Sequence, residues 1–347
     1  MGALVYMGRV RGRQEFDDYI PDWVPVTNGI GQGDPLSMLL YIIYSSDLVD
    51  VAKGPNELTL AFVDDTAFVA IGKTFQETHA ILINMLECEG GGYQWSSNHN
   101  SRFEPSKFAL IDFSLNRKKA CPPLHTRNII INPVPSHKFL GVYLDQELWW
   151  WEQANYALAK GTQYTLLMRR ISGNTWGTLM RFIQQLYQAV VVPKVTYAAS
   201  VWLHPVYKHD NDKPQCGSLG VIKKLTRIQR TAAITILGAM HMSPMDTLDL
   251  HAFLPPTLIL LQEVLHRSIT CMAMLPDSHP LYPKIKWIEK HNVRHHKSAL
   301  HHLIHTLDIC PSEMETINPH PTRPSAIREL HGSTRGCSIA YPHPTCC

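Results

Sequence analysis

The 347-residue sequence predicts an α+β protein whose strand-rich first part gives way to a helical second part. Three observations predict it. The adjacent carboxylates Asp64 and Asp65 lie between two short apolar segments, Leu58 to Val63 and Thr66 to Ile71, rich in the β-branched and aromatic residues that favour strands. A glycine-dense loop, Gly29-Ile30-Gly31-Gln32-Gly33, runs into apolar residues at helical spacing. From Leu148 onward the apolar period changes from that of a strand to that of a helix. The expected layout is an antiparallel sheet carrying an Asp-Asp hairpin over residues 1–147, a helical region over 148–288, and a loosely ordered tail over 289–347.

The chain begins with Leu4 to Met7 and the basic residues Arg9, Arg11 and Arg13, then enters a ribbon at Trp23 to Val26. In the first helix Asp34 is placed to cap, Pro35 suits the first turn, and Leu36, Leu39, Leu40 and Ile43 share a face. The three glycines before it let backbone approach a ligand closely, and Gln32 offers a donor and an acceptor there. In the hairpin, two like charges side by side are costly unless a cation sits between them, and a divalent metal is the natural one. The same dipeptide also serves as a plain turn. Thr74 opens a helix running through Leu86 and stopped by Gly90-Gly91-Gly92. Residues Phe103 to Ile111 lead into a further strand, and His137 to Asp145 read as a strand and turn.

In the helical part, Ala154 to Ile171 form one helix, and Trp176, Leu179, Met180, Ile183, Leu186, Tyr187 and Val190 form a second that Pro193 stops. A third spans Leu219 to Leu237. It puts Lys223, Arg227 and Arg230 on one face and Ile222, Leu225, Ala232 and Ile236 on the other, with no acidic residue along it. Such a stripe either tracks a phosphate backbone or is a solvated face. Val264 to Leu275 form a further helix. His291, His295, His302 and His305 would share a helical face, at spacings that can hold a transition metal.

Charge is uneven. Residues 1–150 carry 12 Lys+Arg against 17 Asp+Glu, whereas residues 151–347 carry 20 against 12. This suits a protein that holds metal in one part and phosphate in the other. The eight cysteines contain no C-x-x-C pair, which argues against a disulfide framework or zinc finger and for a reducing compartment. The longest apolar run, Met38 to Tyr44, is far short of the ~18–20 residues of a membrane span. A soluble, intracellular protein without a leader is expected.

The glycine loop, the helix QGDPLSMLLY and the turn FVDD, in that order, resemble motifs B and C of reverse transcriptases of the non-LTR (LINE-type) retrotransposons, in particular the fungal type. The resemblance continues over nearly all of residues 1–320. It implies a partial polymerase palm over 1–147, a thumb over 148–288 and a connector beyond. It implies an RNA-directed DNA polymerase that adds dNTPs to a DNA primer on an RNA template, with Mg²⁺ or Mn²⁺ as cofactor. Asp64 and Asp65 would be the catalytic metal ligands and Lys107 would attend the leaving pyrophosphate, although Phe108 stands where the family more often has Thr. Gly29, Gln32, Gly33 and Ser37 would support nucleotide and template, Phe139, Leu140 and Gly141 would form the primer grip, and Lys223, Arg227 and Arg230 would meet the nucleic-acid backbone. The aspartate of motif A and the fingers are missing, since Asp17, Asp18 and Asp22 lie in a polar turn too close to Gly29. The chain is therefore expected to be N-terminally truncated and inactive alone. The alternative is a non-catalytic nucleic-acid-binding relic that uses the basic helix.

Overall fold

The computed structural model describes residues 10–12, 24–26, 35–114, 121–127, 129–173, 176–208, 215–293 and 298–316. Two compact units divide at Gln153 and Ala154.

In the first unit, β1 (Val10–Gly12) pairs antiparallel with β2 (Val24–Val26). Helix α1 (Pro35–Tyr44) starts at the proline, whose fixed φ and missing N–H suit a first turn. A 3₁₀ turn, Ser46–Val51, follows and contacts β3 (Glu57–Phe62), which pairs with β4 (Asp65–Ala70). Helix α2 (Phe75–Glu87) opens as the sequence predicts. The Thr74 hydroxyl accepts from the Glu77 N–H at 3.2 Å, and the Glu77 carboxylate accepts from the Lys73 N–H at 2.8 Å. The glycines do not only stop this helix. Gly92 begins α3 (Gly92–Asn98), which buries Trp95 against Leu48, Val51 and Met85. Strands β5 (Leu124–His125), β6 (Ile130–Ile131), β7 (Ser136–Phe139) and β8 (Val142–Asp145) complete the unit.

The expected antiparallel pairing is present among the described residues as small sheets. Among the described residues there are four separate two-stranded antiparallel ladders, β1–β2, β3–β4, β5–β6 and β7–β8. The expected strand near Ile111 is reduced to a 3₁₀ turn, Pro105–Lys107, and one bridge from Leu110 to Pro133. Prolines at 105, 122, 123, 133 and 135 remove ladder donors along this stretch, which keeps the pairings short.

The second unit is helical. α4 (Trp151–Ile171) enters it, and α5 (Met180–Leu186), α6 (Val192–Val195), α7 (Ala199–Trp202), α8 (Leu219–Leu237), α9 (Met245–His251), α10 (Thr257–Ala273), α11 (Tyr282–Lys290) and α12 (Ala299–Thr306) follow. Three expectations need correction here. Trp176 lies before its helix, which begins at Met180. Pro193 does not stop that helix. A π turn, Tyr187–Val191, sends the Val192 N–H five residues back to the Tyr187 carbonyl, so the ladder has already shifted where proline has no N–H to give. The predicted helix at Val264 starts earlier, at Thr257 after Pro256. Helix α8 matches its predicted bounds, with Ile222, Leu225, Ala232 and Ile236 all buried and Gly238 in the left-handed conformation closing it. No helix among the described residues is long and apolar enough to cross a membrane.

Gly161 explains how tightly α4 packs. A Cβ there would stand 2.6 Å from Val195 Cγ1 and 3.1 Å from Ile228 Cδ1, so α4 closes on α6 and α8 over a bare backbone. A second device is polar. Gln229, on α8 and fully buried, donates through Nε2 to Asp249 Oδ1 and to the Pro255 carbonyl, each at 2.9 Å, while the Tyr187 hydroxyl lies 3.5 Å from its Oε1. Burial raises the Asp249 pKa above the ordinary carboxylate range, against the Gln229 hydrogen bond and with help from the Asp246 charge. Burial and then the Asp249 charge push the Tyr187 phenol up.

Two outcomes are expected. Gly161→Ala gains helix propensity on an isolated helix, but here it should destabilise the protein by about 1–3 kcal/mol through overpacking, measured by urea unfolding. For Asp249 the folded state keeps a proton that the unfolded chain releases, so its effect on stability turns unfavourable as pH rises from the ordinary carboxylate value through the raised one. Asp249→Asn should flatten that fall in a melting-temperature series run upward from the ordinary carboxylate value of about 4.

Candidate metal and nucleic-acid site

The β3–β4 hairpin closes with Phe62 opposite Asp65, leaving Val63 and Asp64 as a two-residue turn. Two-residue loops that match strand twist demand positive φ, and Val63 supplies it at 55° although it is β-branched. The effect is to hold both carboxylates at an exposed tip. Register then assigns the faces. Thr59 and Phe68 form one cross-strand pair, with Thr59 buried and Phe68 packed on the Leu48–Met85 cluster. The opposite face carries Leu58, Leu60, Phe62 and Asp65, and it is open, with Leu58 48 % and Phe62 61 % exposed. Helix α1, which carries the half-buried Ser37, likewise exposes Leu39, Ile42 and Ile43. Gly29, Gln32, Gly33 and Asp34, the last expected to cap α1, lie outside the described residues.

Oxygen donors of this kind fit a hard divalent cation. Asp64 and Asp65 supply carboxylates from adjacent positions, and among the described residues no group of three or more His, Cys, Asp or Glu gathers to hold a metal. Lys107 is exposed at the end of its 3₁₀ turn.

The β7–β8 hairpin turns at Leu140 and Gly141, with φ of 46° and 83°, so Phe139 and Val142 face each other across a two-residue loop. Four hydrogen bonds tie this hairpin to the start of α4 and the two residues before it. The buried Asp145 carboxylate accepts from the Trp149 and Trp150 N–H groups at 2.7 and 2.9 Å. Gln153 Oε1 accepts from the Tyr143 N–H at 2.9 Å, and the Ser136 hydroxyl donates to Glu152. Sequence reasoning passed over Asp145 and Gln153. The available signal was an aspartate ending a strand just before a tryptophan-rich helix start.

On α8, Lys223 and Arg227 are exposed, joined by Lys224. Arg230 differs from them. Its Nη2 donates to the His241 and Ser243 carbonyls at 2.7 and 2.8 Å, and it thereby pins the loop that follows the helix. The expected histidine face does not form among the described residues. Helix α11 ends at Lys290 with His291 as its cap, and α12 begins at Ala299, so His291 and His302 belong to different helices. His305 contacts the Ile288 carbonyl and His302 packs edge-on against His204, while His295 and His296 lie outside the described residues.

The chain is similar to two curated proteins of Drosophila melanogaster. One is an RNA-directed DNA polymerase from mobile element jockey, 28% identical over 137 residues, which are 38% of this chain and 14% of that protein. The other is a probable RNA-directed DNA polymerase from transposon X-element, 23% identical over 221 residues, 61% of this chain and 22% of that protein. The matched stretches thus span under a quarter of either relative. No protein-family model and no solved structure matches the chain.

Val63 gives the turn a direct test. Val63→Gly should relieve left-handed strain and stabilise the first unit by about 1 kcal/mol, less glycine's larger unfolded-state entropy. A denaturant midpoint that falls instead would mean that the Val63 side chain contributes more by packing than its backbone costs.

Proposed function

We propose that this chain is part of the reverse transcriptase of a non-LTR, LINE-type retrotransposon, with palm elements over 1–147, a thumb over 148–288 and a connector beyond. The observation that carries this is the exposed Asp64-Asp65 tip of an antiparallel hairpin, within a chain similar to two RNA-directed DNA polymerases of mobile elements. The fungal subtype rests on the wording of the QGDPLSMLLY and FVDD segments.

In this reading Asp64 and Asp65 hold Mg²⁺ or Mn²⁺, which when bound activates the primer 3′-OH and neutralises charge on the incoming dNTP. The remaining parts are positioning devices. The Leu140-Gly141 tip grips the primer end, and Asp145 and Gln153 hold that tip in register with the first turn of α4. Lys107 sits free to meet phosphate, and Gly29, Gln32, Gly33 and Ser37 support the template and nucleotide. Lys223 and Arg227 neutralise backbone phosphates, releasing counterions as they do so. Arg230 acts here as a brace for the 238–243 loop and contributes less to binding than its helical position implies.

In this reading the chain by itself binds nucleic acid without extending a primer. The test is a pair of assays. In primer extension on a poly(rA) template with Mg²⁺ or Mn²⁺, no synthesis is expected; synthesis abolished by Asp64→Ala would overturn the inactivity. In binding assays with an RNA–DNA hybrid, affinity should fall steeply with salt, and Lys223→Gln and Arg227→Gln should each reduce the log–log salt slope by roughly one. Binding indifferent to salt and to both changes would remove the nucleic-acid reading altogether.

A further inference from the structure

Helix α9 ends in a paired C-terminal motif. The Leu254 N–H reaches back to the Asp249 carbonyl at 2.9 Å and the Phe253 N–H to the Leu250 carbonyl at 3.2 Å. Phe253 is thus the residue just past the C-cap, where the backbone must be left-handed and glycine is the usual occupant. Its φ is 51° and its side chain is 77 % exposed. A bulky aromatic is unfavourable at this position twice over, in backbone strain and in apolar surface left in water. Such an outlier points to a contact that the isolated fold does not show.

Beside it lies a cleft of about 290 Å³ lined by Met180, Arg181, Gln184, Ile236, His251 and Phe253. Its apolar walls come from Met180 of α5, Ile236 of α8 and Ala252 and Phe253 just after α9, and no acidic side chain lines it. Arg181 and His251 are both exposed at this cleft. Gln184 Nε2 donates to the Phe253 carbonyl at 3.4 Å, which fixes the aromatic residue at the cleft edge. An exposed aromatic side chain and an arginine lining one cleft, with no carboxylate in that lining, suit a base attached to a phosphate.

We propose that this cleft takes one unpaired nucleotide of a nucleic-acid strand, its base stacked on Phe253 and its phosphate at Arg181. The site is separate from the Lys223 and Arg227 stripe, because Ile236 lies on the buried face of α8 opposite those cations. It deepens the polymerase reading and rests on it for the presence of nucleic acid. The cationic stripe holds duplex, and the cleft holds a strand that has left the duplex.

The test compares the full chain binding a blunt RNA–DNA hybrid with the same hybrid bearing a short single-stranded extension, by fluorescence anisotropy. The extension should tighten binding. Phe253→Gly should remove that gain, roughly tenfold, while leaving the blunt hybrid unaffected and the melting temperature unchanged or raised. Phe253→Asn, also at ease in left-handed backbone, should behave alike, and Phe253→Trp should keep the gain. Arg181→Gln should weaken binding of the extended hybrid and lower its salt slope. If the blunt hybrid binds but Phe253→Gly binds the extended one as tightly as the unmodified chain, the cleft proposal fails alone. If neither hybrid binds, the polymerase reading fails and takes the cleft with it. Self-association lost in Phe253→Gly, without any effect on the extended hybrid, would make the face a contact between copies and overturn the proposal.

Discussion

Gln229 lies in the middle of α8 with its whole amide withdrawn from water, and three segments take their positions from it. One N–H bond goes to Asp249 on α9 and a second to the Pro255 carbonyl just before α10, while the carbonyl oxygen faces the Tyr187 hydroxyl where the π turn begins. A buried amide is expensive unless satisfied, so the helices must converge at this point and in this register. The consequences extend outward. Fixing Asp249 and Pro255 fixes the short bend between α9 and α10, and Phe253 stands in that bend. The π turn, which absorbs Pro193, brings Tyr187 to the same place. A helix without it would break at the proline and leave the amide oxygen without that neighbour.

The first unit is organised by backbone conformation more than by polar burial. Val63 and Leu140 each stand at the first position of a two-residue hairpin turn with positive φ, and each turn presents a residue or pair that the polymerase reading needs. Asp145 does for the second hairpin what Gln229 does for the helices. Its two carboxylate oxygens satisfy consecutive N–H groups in a loop where Leu148 and Trp150 also adopt positive φ. A carboxylate that accepts two backbone donors in a buried site can offset such strain, whereas either change alone would be unfavourable.

How much of this was readable from sequence varies with the kind of signal. Helix α8 was legible to the residue because its apolar period is unbroken and Gly238 terminates it. The Asp-Asp and Phe139–Val142 hairpins were legible because short β-rich runs flank obvious turns. What failed depended on information that is not local. The glycines at 90–92 were read as a stop, but a helix restarts at Gly92 because Trp95 has a core to enter. Pro193 was read as a breaker because a shift to π hydrogen bonding leaves no trace in composition. The histidine face required one helix where there are two, and spacing along a chain cannot show a break between Lys290 and Ala299. Arg230 shared a helical face with Lys223 and Arg227, but only the fold shows that its guanidinium is occupied by two carbonyls.

The two units differ in what their functions would require. In the helical unit the buried residues Ile183, Ala232, Leu265, Ile269 and Leu303 form an interior, and the exposed cations of α8 stand on a helix whose other face is fully packed. Phosphate binding of that kind needs only charge held on a rigid support. The first unit has an open apolar face at Leu58, Leu60 and Phe62, shared with Asp65 of the exposed Asp64-Asp65 turn. Metal-assisted phosphoryl transfer needs ligands fixed in number and direction, so it is far more sensitive to what covers that face. The Asp64-Asp65 tip is therefore the most specific chemical signature in this chain and also its most conditional part, whereas the basic helix is unspecific in sequence and complete in structure.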